Sequence, residues 1–379
     1  PVVAHLHGAR RDDEVAHVLQ QGFWLALALS VPGVLFLTHP GVLLDRVTMD
    51  DAVDAKVRSY LSLLAWGLPA ALCYRTFYAF CRALGGPRVL MGIGVASLCL
   101  HALLAWGLAL DGWLGAPLGV VGCAMSNIAI AWSACLSGAA YLALGPLGKR
   151  YRPFSNWERP RWKSWRELLH LGLPMGLSNL VEITSFTLIS LFIASLGASV
   201  VAGHRIVANL AALCYMLPLS LAIATLSAVG QAVGARDWRR AHAAIAAGLL
   251  LAAILSTIVG LLIWISGEAL VSAYTDDPAV RSVALTLTIF IALYQFFDAL
   301  QTVASHVLRA YRVTFVPMLV QTFCFWGIGL YGGWWLCYRW PSPLGVEGFW
   351  VASVISLIFS AAMLGPLLWK AVRATEVSP

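Results

Sequence analysis

The chain is poor in charge. Of its 379 residues, 25 are Lys or Arg and 18 are Asp or Glu, so charged residues make up 11%. A soluble domain carries roughly 25%. With 60% hydrophobic residues and a mean hydropathy of +0.79, this excludes a soluble globular domain and a disordered chain. The eight cysteines, Cys73, Cys81, Cys99, Cys123, Cys135, Cys214, Cys324 and Cys337, include no C-x-x-C pair. The composition already excludes a disulfide-stapled secreted module, and without a C-x-x-C pair metal or redox chemistry is disfavoured; these cysteines read as small apolar residues. G-x-S-x-G, H-E-x-x-H, a P-loop and a helical D-D-x-x-D are all missing, so the protein is not expected to be an enzyme.

What the sequence has is long apolar runs. Residues 15–44, 112–148, 206–235, 241–267, 313–338 and 348–369 contain no Asp, Glu, Lys or Arg. A bilayer-spanning helix needs about 20 such residues, and the runs do not alternate as strands of a membrane barrel would. The fold class is therefore all-α, a polytopic membrane protein. Helices are expected at 15–38, 58–84, 89–110, 119–145, 168–196, 200–230, 242–266, 282–308, 314–338 and 346–370, after a stub at 1–8. Pro32, Pro69, Pro174, Pro218 and Pro366 fall inside them, where membrane helices tolerate kinks.

The net charge of +7 does not indicate nucleic acid, because the bases sit in short loops between apolar runs. With the 146–166 loop placed in the cytoplasm, cytoplasmic segments hold 18 Lys and Arg against five outside, Arg46, Lys56, Arg58, Arg281 and Arg339. That bias sets the orientation and puts both termini of the intact protein in the cytoplasm. The basic stretch from Lys149 to Arg166 reads as a linker obeying this rule; contact with anionic lipid is the alternative.

The two halves of the chain match. His7-Gly8-Ala9-Arg10-Arg11 resembles Val233-Gly234-Ala235-Arg236-Asp237, Asp50-Asp51 matches Asp276-Asp277, and Arg82-Ala83 matches Arg309-Ala310. Met91 matches Met318, and Pro117-Leu118-Gly119-Val120 with Gly122 matches Pro343-Leu344-Gly345-Val346 with Gly348. All lie at an offset of 226 or 227, which indicates duplication. The two Asp-Asp pairs read as helix-capping acids. By this arithmetic Pro1 corresponds to about Ser227, and two further helices are expected to precede it. The expected organisation is residues 1–145 as an N-terminal lobe without its first two helices, 146–166 as a basic cytoplasmic linker, and 167–379 as a six-helix C-terminal lobe. Lobes of six helices share one orientation, related by a pseudo-twofold axis along the membrane normal.

Ionisable groups deep in a bilayer are costly, and each is a functional candidate. Two acids qualify, Glu182 and Asp298. They stand ~21 Å and ~15 Å from the cytoplasmic ends of their helices at 1.5 Å per residue. Burial disfavours the charged form of a carboxyl group, and a second carboxylate nearby disfavours it further. Such a pair can exchange a proton or coordinate Na⁺ through its oxygens, and either property suits ion-coupled transport. The competing reading is that the acids neutralise buried bases such as Arg75 or Arg205. Asn179, Tyr294 and Gln295 are possible polar partners of the acids. Asn127 is either an ion-site residue or an interhelical hydrogen bond. Arg75 remains open between function and structure, and Arg205 reads as a side chain snorkelling to the interface. Tyr294, Phe297 and Trp326 lie at mid-depth, where aromatic rings facing a cavity would attract organic cations.

Several segments together resemble a known family. Leu171-Gly172-Leu173-Pro174-Met175-Gly176-Leu177, Glu182, Leu196-Gly197-Ala198 and Ala202-Gly203-His204-Arg205-Ile206 resemble the seventh and eighth helices of multidrug and toxic-compound extrusion (MATE) transporters. Val229-Gly230-Gln231-Ala232-Val233-Gly234-Ala235 is similar to the family's V-G-Q-x-x-G-A element, and residues 1–9 to its first-half counterpart. Tyr294-Gln295, Asp298 and residues 308–317 resemble the tenth-helix signature. The likeness is to the NorM-type branch, with Arg205 where glutamine is common and Ala310 where glycine is common.

The resemblance implies a bacterial inner-membrane antiporter with two lobes around a V-shaped cavity. It would export cationic amphipathic drugs in exchange for Na⁺ or H⁺, with Glu182 and Asp298 as the cation site of the second lobe. No cofactor beyond the coupling ion is implied. The expected partners are small organic cations and the lipid bilayer, and the expected state is a monomer. Two rival readings are a lipid-linked oligosaccharide flippase of the same superfamily and a polytopic membrane enzyme. The flippase would need more mid-depth Arg and Lys than Arg75 alone. The enzyme would need an acidic metal-binding motif that the sequence lacks.

Overall fold

The computed structural model describes residues 1–45, 50–113, 116–155 and 157–377; Arg46, one of the five bases counted outside, lies beyond them. The described regular structure is entirely helical, and the chain divides into two compact units, Val2–Leu168 and Leu169–Pro379. The first contains α1 (Val2–Gly8), α2 (Asp12–Thr38), α3 (Gly41–Leu44), α4 (Asp51–Ala65), α5 (Leu68–Ala83), α6 (Pro87–Ala105), α7 (Val120–Leu144) and α8 (Pro146–Tyr151). A π-helical segment, Trp106–Asp111, extends α6. α9 (Trp162–Ile193) leads into the second unit, with α10 (Ala198–Gly234), α11 (Trp238–Ser272), α12 (Pro278–Ala310), α13 (Phe315–Thr322), α14 (Gly333–Tyr338) and α15 (Val346–Val377). A π-helical segment, Phe323–Gly332, joins α13 to α14. Among the described residues, nine helical spans are long and apolar enough to cross a membrane. The protein is a multi-pass membrane protein.

Nine of the ten expected spans are single helical spans. The exception is 58–84, which is two helices broken at Trp66-Gly67. Pro69 is not inside a helix, as the sequence suggested, but in the first turn of α5, where its missing N–H costs nothing. The Trp132 indole of α7 donates to the Trp66 carbonyl at 3.1 Å, so an acceptor at the break is satisfied. Pro32, Pro174, Pro218 and Pro366 stay within continuous helices.

The duplication is visible in the backbone. After α1, Ala9, Arg10 and Arg11 donate to the carbonyls of His5, His7 and Leu6; after α10, Ala235, Arg236 and Asp237 donate to Gln231, Val233 and Ala232. After α5, Leu84, Gly85 and Gly86 donate to Phe80, Arg82 and Cys81; after α12, Tyr311, Arg312 and Val313 donate to Val307, Arg309 and Leu308. These are matching helix-ending hydrogen-bond patterns at the sequence offsets. The capping acids match too: Asp50 accepts from Ala52 at 2.9 Å to start α4, and Asp277 accepts from Ala279 at 2.8 Å to start α12. α4 and α5 together are thus the counterpart of the unbroken α12.

The repeated Pro-Leu-Gly-Val-x-Gly motif has a geometric cause. Gly119 and Gly345 have φ of 54° and 58°, the left-handed region that favours glycine. At Gly122 a Cβ would lie 2.6 Å from the Leu108 carbonyl oxygen, and at Gly348 2.9 Å from the Cys337 nitrogen. In both units this glycine lets the next helix start against the backbone of the preceding one.

The stretch between the units is not a free tether. Two buried glutamines of α2 bind its backbone: Gln20 donates to the Pro153 carbonyl at 2.7 Å and accepts from the Glu158 N–H at 3.0 Å. Gln21 donates to the Arg159 carbonyl at 3.0 Å and accepts from the Arg161 N–H at 2.8 Å. His17 adds contacts to Glu158 at 2.9 Å and Ser164 at 3.0 Å. Each side-chain amide thus bridges a backbone donor and a backbone acceptor, and holds Pro153, Glu158, Arg159 and Arg161 along α2.

In the second unit, α12 is central, and it is buried over a larger share of its length than any other described span. Two apolar clusters surround it. One joins Val229, Ala252, Val303, Val307 and Leu364; the other joins Val207, Leu210, Ile263, Leu287 and Leu357. The π-helical segment Phe323–Gly332 leaves carbonyls without their usual partners, and neighbours supply them. Ser185 of α9 donates to the Phe325 carbonyl at 3.1 Å, and Ser356 of α15 to the Cys324 carbonyl at 2.7 Å.

Gly122→Ala and Gly348→Ala are each expected to destabilise the protein by about 1–3 kcal/mol, the usual cost of overpacking. Gly172→Ala, whose Cβ would meet nothing within 4 Å, should be neutral. Thermal unfolding of the purified protein in detergent, followed by Trp fluorescence, distinguishes the three.

Candidate functional site

α12 should be apolar throughout, because it is the helix furthest from any solvent. Its buried face instead carries Tyr294, Gln295, Asp298, Gln301, Thr302 and Ser305. Positions 294, 298, 301, 302, 305 and 309 recur every three or four residues and form one stripe. Polar groups in such a place are costly unless each has a partner, so the partners define the site.

The stripe is wired into the helices around it. Gln295, on an adjoining face, donates to the Ala211 carbonyl of α10 at 2.9 Å. Gln301 donates to Asp298 Oδ1 at 3.1 Å and to Thr302 Oγ1 at 3.1 Å. Gln321 of α13 donates to Gln301 Oε1 at 3.2 Å and Ser305 Oγ at 3.3 Å. This leaves the buried Oε1 of Gln321 without a hydrogen-bond partner. Asp298 is 3% exposed, so its carboxylate meets protein groups and almost nothing else.

Glu182 reaches the stripe from α9, half-buried. Tyr215 of α10 joins the two acids. The side chain of Tyr215 lies near enough to both carboxylates and to Thr302 to interact with them electrostatically. Glu182 and Asp298 act on each other electrostatically. Arg309, in the last turn of α12, acts on Glu182 and Tyr215. The cluster therefore holds two carboxyl groups and one guanidinium in a low-dielectric interior, where such charges interact far more strongly than in water. With both acids ionised it is one positive charge short of neutral.

Tyr294 lies one turn before Asp298, packed edge-on against Phe186 at 6.3 Å and Trp350 at 5.9 Å between ring centroids. The Trp350 indole donates to His204 Nδ1 at 3.3 Å, and His204 Nε2 is 3.3 Å from Ser190 Oγ. Tyr294 and Phe297 pack into the core of their own unit. Trp326 donates to the Val181 carbonyl and Thr184 Oγ1, both at 3.2 Å.

The other residues singled out in the sequence do not join the cluster. Asn179 is exposed, and no hydrogen bond from it to Glu182 occurs among the described residues. Asn127, read as either an ion-site residue or an interhelical bond, donates instead to Cys123 of its own helix at 3.0 Å. A mid-helix amide satisfies itself on the preceding turn when no neighbour offers an acceptor. Arg75 is exposed on α5, in the first unit, and the ion pairs among the described residues do not include it. Arg205 is exposed as well, at the edge of a cavity on the second unit. Sequence reasoning missed Tyr215 and Arg309. Arg309 enters the sequence reading through its repeat match with Arg82, yet its spacing of 11 residues from Asp298 is three helical turns, a signal available in the sequence. Tyr215 carries no such signal, because one tyrosine in an apolar run looks like any core aromatic.

A protein-family model described as MatE matches residues 1–106 and 174–335. The chain is 50% identical over 380 residues to the probable multidrug resistance protein NorM of Aromatoleum aromaticum, covering 99% of this chain and 82% of that protein. It is 32% identical to the multidrug resistance protein NorM of Aliivibrio fischeri, covering 100% and 83%. Among solved structures, it resembles the outward-facing conformation of a multidrug resistance MATE family transporter of the MOP superfamily. The TM-score is 0.89 at 18% identity, covering 99% of this chain and 82% of that one. A eukaryotic MATE transporter, AtDTX14, gives a TM-score of 0.87 at 18% identity over 99% and 83%. At that identity the structural likeness speaks to the fold alone.

Arg309 and Glu182 are expected to be energetically coupled. Arg309→Leu should lower thermal stability, because it strands a buried carboxylate. Glu182→Gln in the same chain should recover part of the loss, with a coupling energy of about 0.5–3 kcal/mol in a double-mutant cycle. Additive effects would mean that the two side chains do not interact.

Proposed function

The chain belongs to the MatE family, and from that premise we propose that it is a secondary active multidrug efflux antiporter that exports cationic amphipathic compounds in exchange for Na⁺ or H⁺. It would work by alternating access in a bacterial inner membrane, with both termini of the intact protein in the cytoplasm, as the basic loops favour.

The observation that carries this reading is the charge balance of the Glu182, Asp298 and Arg309 cluster. Arg309 compensates one carboxylate, so the second needs one more positive charge. A proton can supply it, and so can Na⁺. For Na⁺, the carboxylate oxygens and the free Oε1 of Gln321, linked to Asp298 through Gln301, are suitable hard ligands. Tyr215 spans Glu182 and Thr302 and would report the state of the acids to α10. Tyr294 and Gln295 serve as supports that hold α12 against its neighbours. Asn179, Asn127 and Arg75 have no part in this reading.

Exchange then follows from competition. A cation on Glu182 and Asp298 and a cationic drug that seeks the same negative charge exclude each other, or favour different conformations. In either case binding one promotes release of the other. The chemistry needs no cofactor other than the coupling ion. One chain carries the whole cluster, so a monomer suffices.

The test uses the intact protein in proteoliposomes loaded with a fluorescent organic cation. A Na⁺ gradient or a pH gradient should drive dye movement, and the effective gradient identifies the ion. Glu182→Gln and Asp298→Asn are each expected to slow gradient-driven movement at least about tenfold, equivalent to about 1.4 kcal/mol, while inserting normally. Export by both variants at the wild-type rate would remove the acids from the mechanism. Movement with neither gradient, by folded protein, would refute antiport.

A further inference from the structure

Within the first unit, α5 and α7 pack side by side and bring two cysteines together. Glycines set how closely the two helices approach. A Cβ on Gly67, at the start of α5, would lie 3.4 Å from the Ile128 Cα of α7, and a Cβ on Gly138 of α7 would lie 2.7 Å from the Phe77 ring of α5. Residues 67 and 128 are 61 apart, and so are 77 and 138. A contact that recurs at one offset means that the helices run in the same direction. Tyr141, in the next turn of α7, packs edge-on against Phe77 at 6.2 Å between ring centroids.

Cys73 and Cys135 lie between these two points of close approach, 62 residues apart and so within one residue of the helix register. Cys73 is one turn before Phe77, and Cys135 is about one turn before Gly138. Their side chains are near enough to act directly on each other. Both thiols are free and half-buried. Among the described residues, no second cysteine acts on Cys81, Cys214, Cys324 or Cys337, and Cys99 and Cys123 are exposed. A disulfide needs Cβ atoms about 3.5–4.5 Å apart, and two helices held in contact by glycines above and below the pair meet that need without unfolding.

We propose that Cys73 and Cys135 form a peroxide-oxidisable pair, which closes to a disulfide between the two helices and locks α5 to α7. One thiolate attacks a peroxide oxygen: the S–O bond forms, the O–O bond breaks and hydroxide leaves, giving a sulfenic acid. The neighbouring thiolate attacks that sulfur: the S–S bond forms, the S–O bond breaks and a second hydroxide leaves. The two thiol protons end on the two hydroxides. Two thiols are thus oxidised by two electrons in total, and one hydrogen peroxide is reduced to two waters. Because the second thiol is already in place, closure is intramolecular and outpaces further oxidation of the sulfenic acid. A dithiol reductant reopens the bond by exchange. The lock would restrain movement of α5 against α7 just beyond the break at Trp66-Gly67. It sets these two cysteines apart from the others, which remain small apolar residues, and it does not depend on the transport reading.

The test uses the purified full-length protein in detergent. It is treated with hydrogen peroxide, quenched with N-ethylmaleimide and digested, and the peptides are identified by mass spectrometry. The expected product is a peptide pair joined through Cys73 and Cys135 within one chain, with two thiols lost per chain and both restored by dithiothreitol. Cys99 and Cys123 should still take the maleimide. The oxidised protein should also unfold at a higher temperature than the reduced protein, because a cross-link restricts the unfolded chain. That gain should vanish with dithiothreitol and be absent from Cys73→Ala and from Cys135→Ala. If either variant fails to fold, the wild-type protein before and after peroxide decides the matter alone. No joined pair, a joint only between two chains, or oxidation of either cysteine to the sulfinic acid without a joint would overturn the pairing. A joined pair that leaves the unfolding temperature unchanged would overturn the lock.

Discussion

Hydrocarbon offers no hydrogen-bond partner, so every polar group inside the spans must find one in the protein. Much of this structure answers that constraint. Where the chain breaks between α4 and α5, Trp132 caps the Trp66 carbonyl. Where the helix loosens into a π segment, Ser185 and Ser356 supply donors to its carbonyls. Where Pro153, Glu158, Arg159 and Arg161 lie along α2, Gln20 and Gln21 provide both donors and acceptors. Each of these side chains is a polar residue on an otherwise apolar helix, and each is spent on backbone.

The same constraint separates scaffold from function. Once the structural polar groups are paired, a small remainder is left. Arg309 acts on Glu182, Asp298 accepts from Gln301, and Gln321 keeps an unused oxygen. Burial makes these leftovers expensive. Two buried acids beside a single base favour the arrival of a cation.

The duplication shows how far scaffold and chemistry have parted. The helix-ending hydrogen bonds, the capping acids and the paired glycines persist at an offset of 226 or 227. Arg82 and Arg309 occupy corresponding last turns. Arg82 lies over the Tyr78 ring at 4.9 Å, whereas Arg309 faces an acid. The counterpart of Asp298 is Ala71, and the counterpart of the continuous stretch before it is the break at Trp66-Gly67. Backbone geometry is held by local rules that any copy of the sequence motif reproduces. The carboxylate cluster depends on three helices at once, and among the described residues the second unit alone has it.

Sequence alone determined the membrane class, the positions of nine spans, the repeat, and the two deep acids, because hydropathy, helical length and the cost of buried charge act locally along the chain. It misjudged 58–84, because a proline at mid-run looks the same whether it kinks a helix or starts a new one. The difference lies in whether a neighbour such as Trp132 caps the freed carbonyl. It overlooked Tyr215, and it did not connect Arg309 with Glu182. It read Asn127 as an ion-site residue or an interhelical bond, although it bonds to its own helix. The tertiary structure decided these points because partnership in a low-dielectric interior depends on which side chains from distant segments meet, and no spacing within one segment records that.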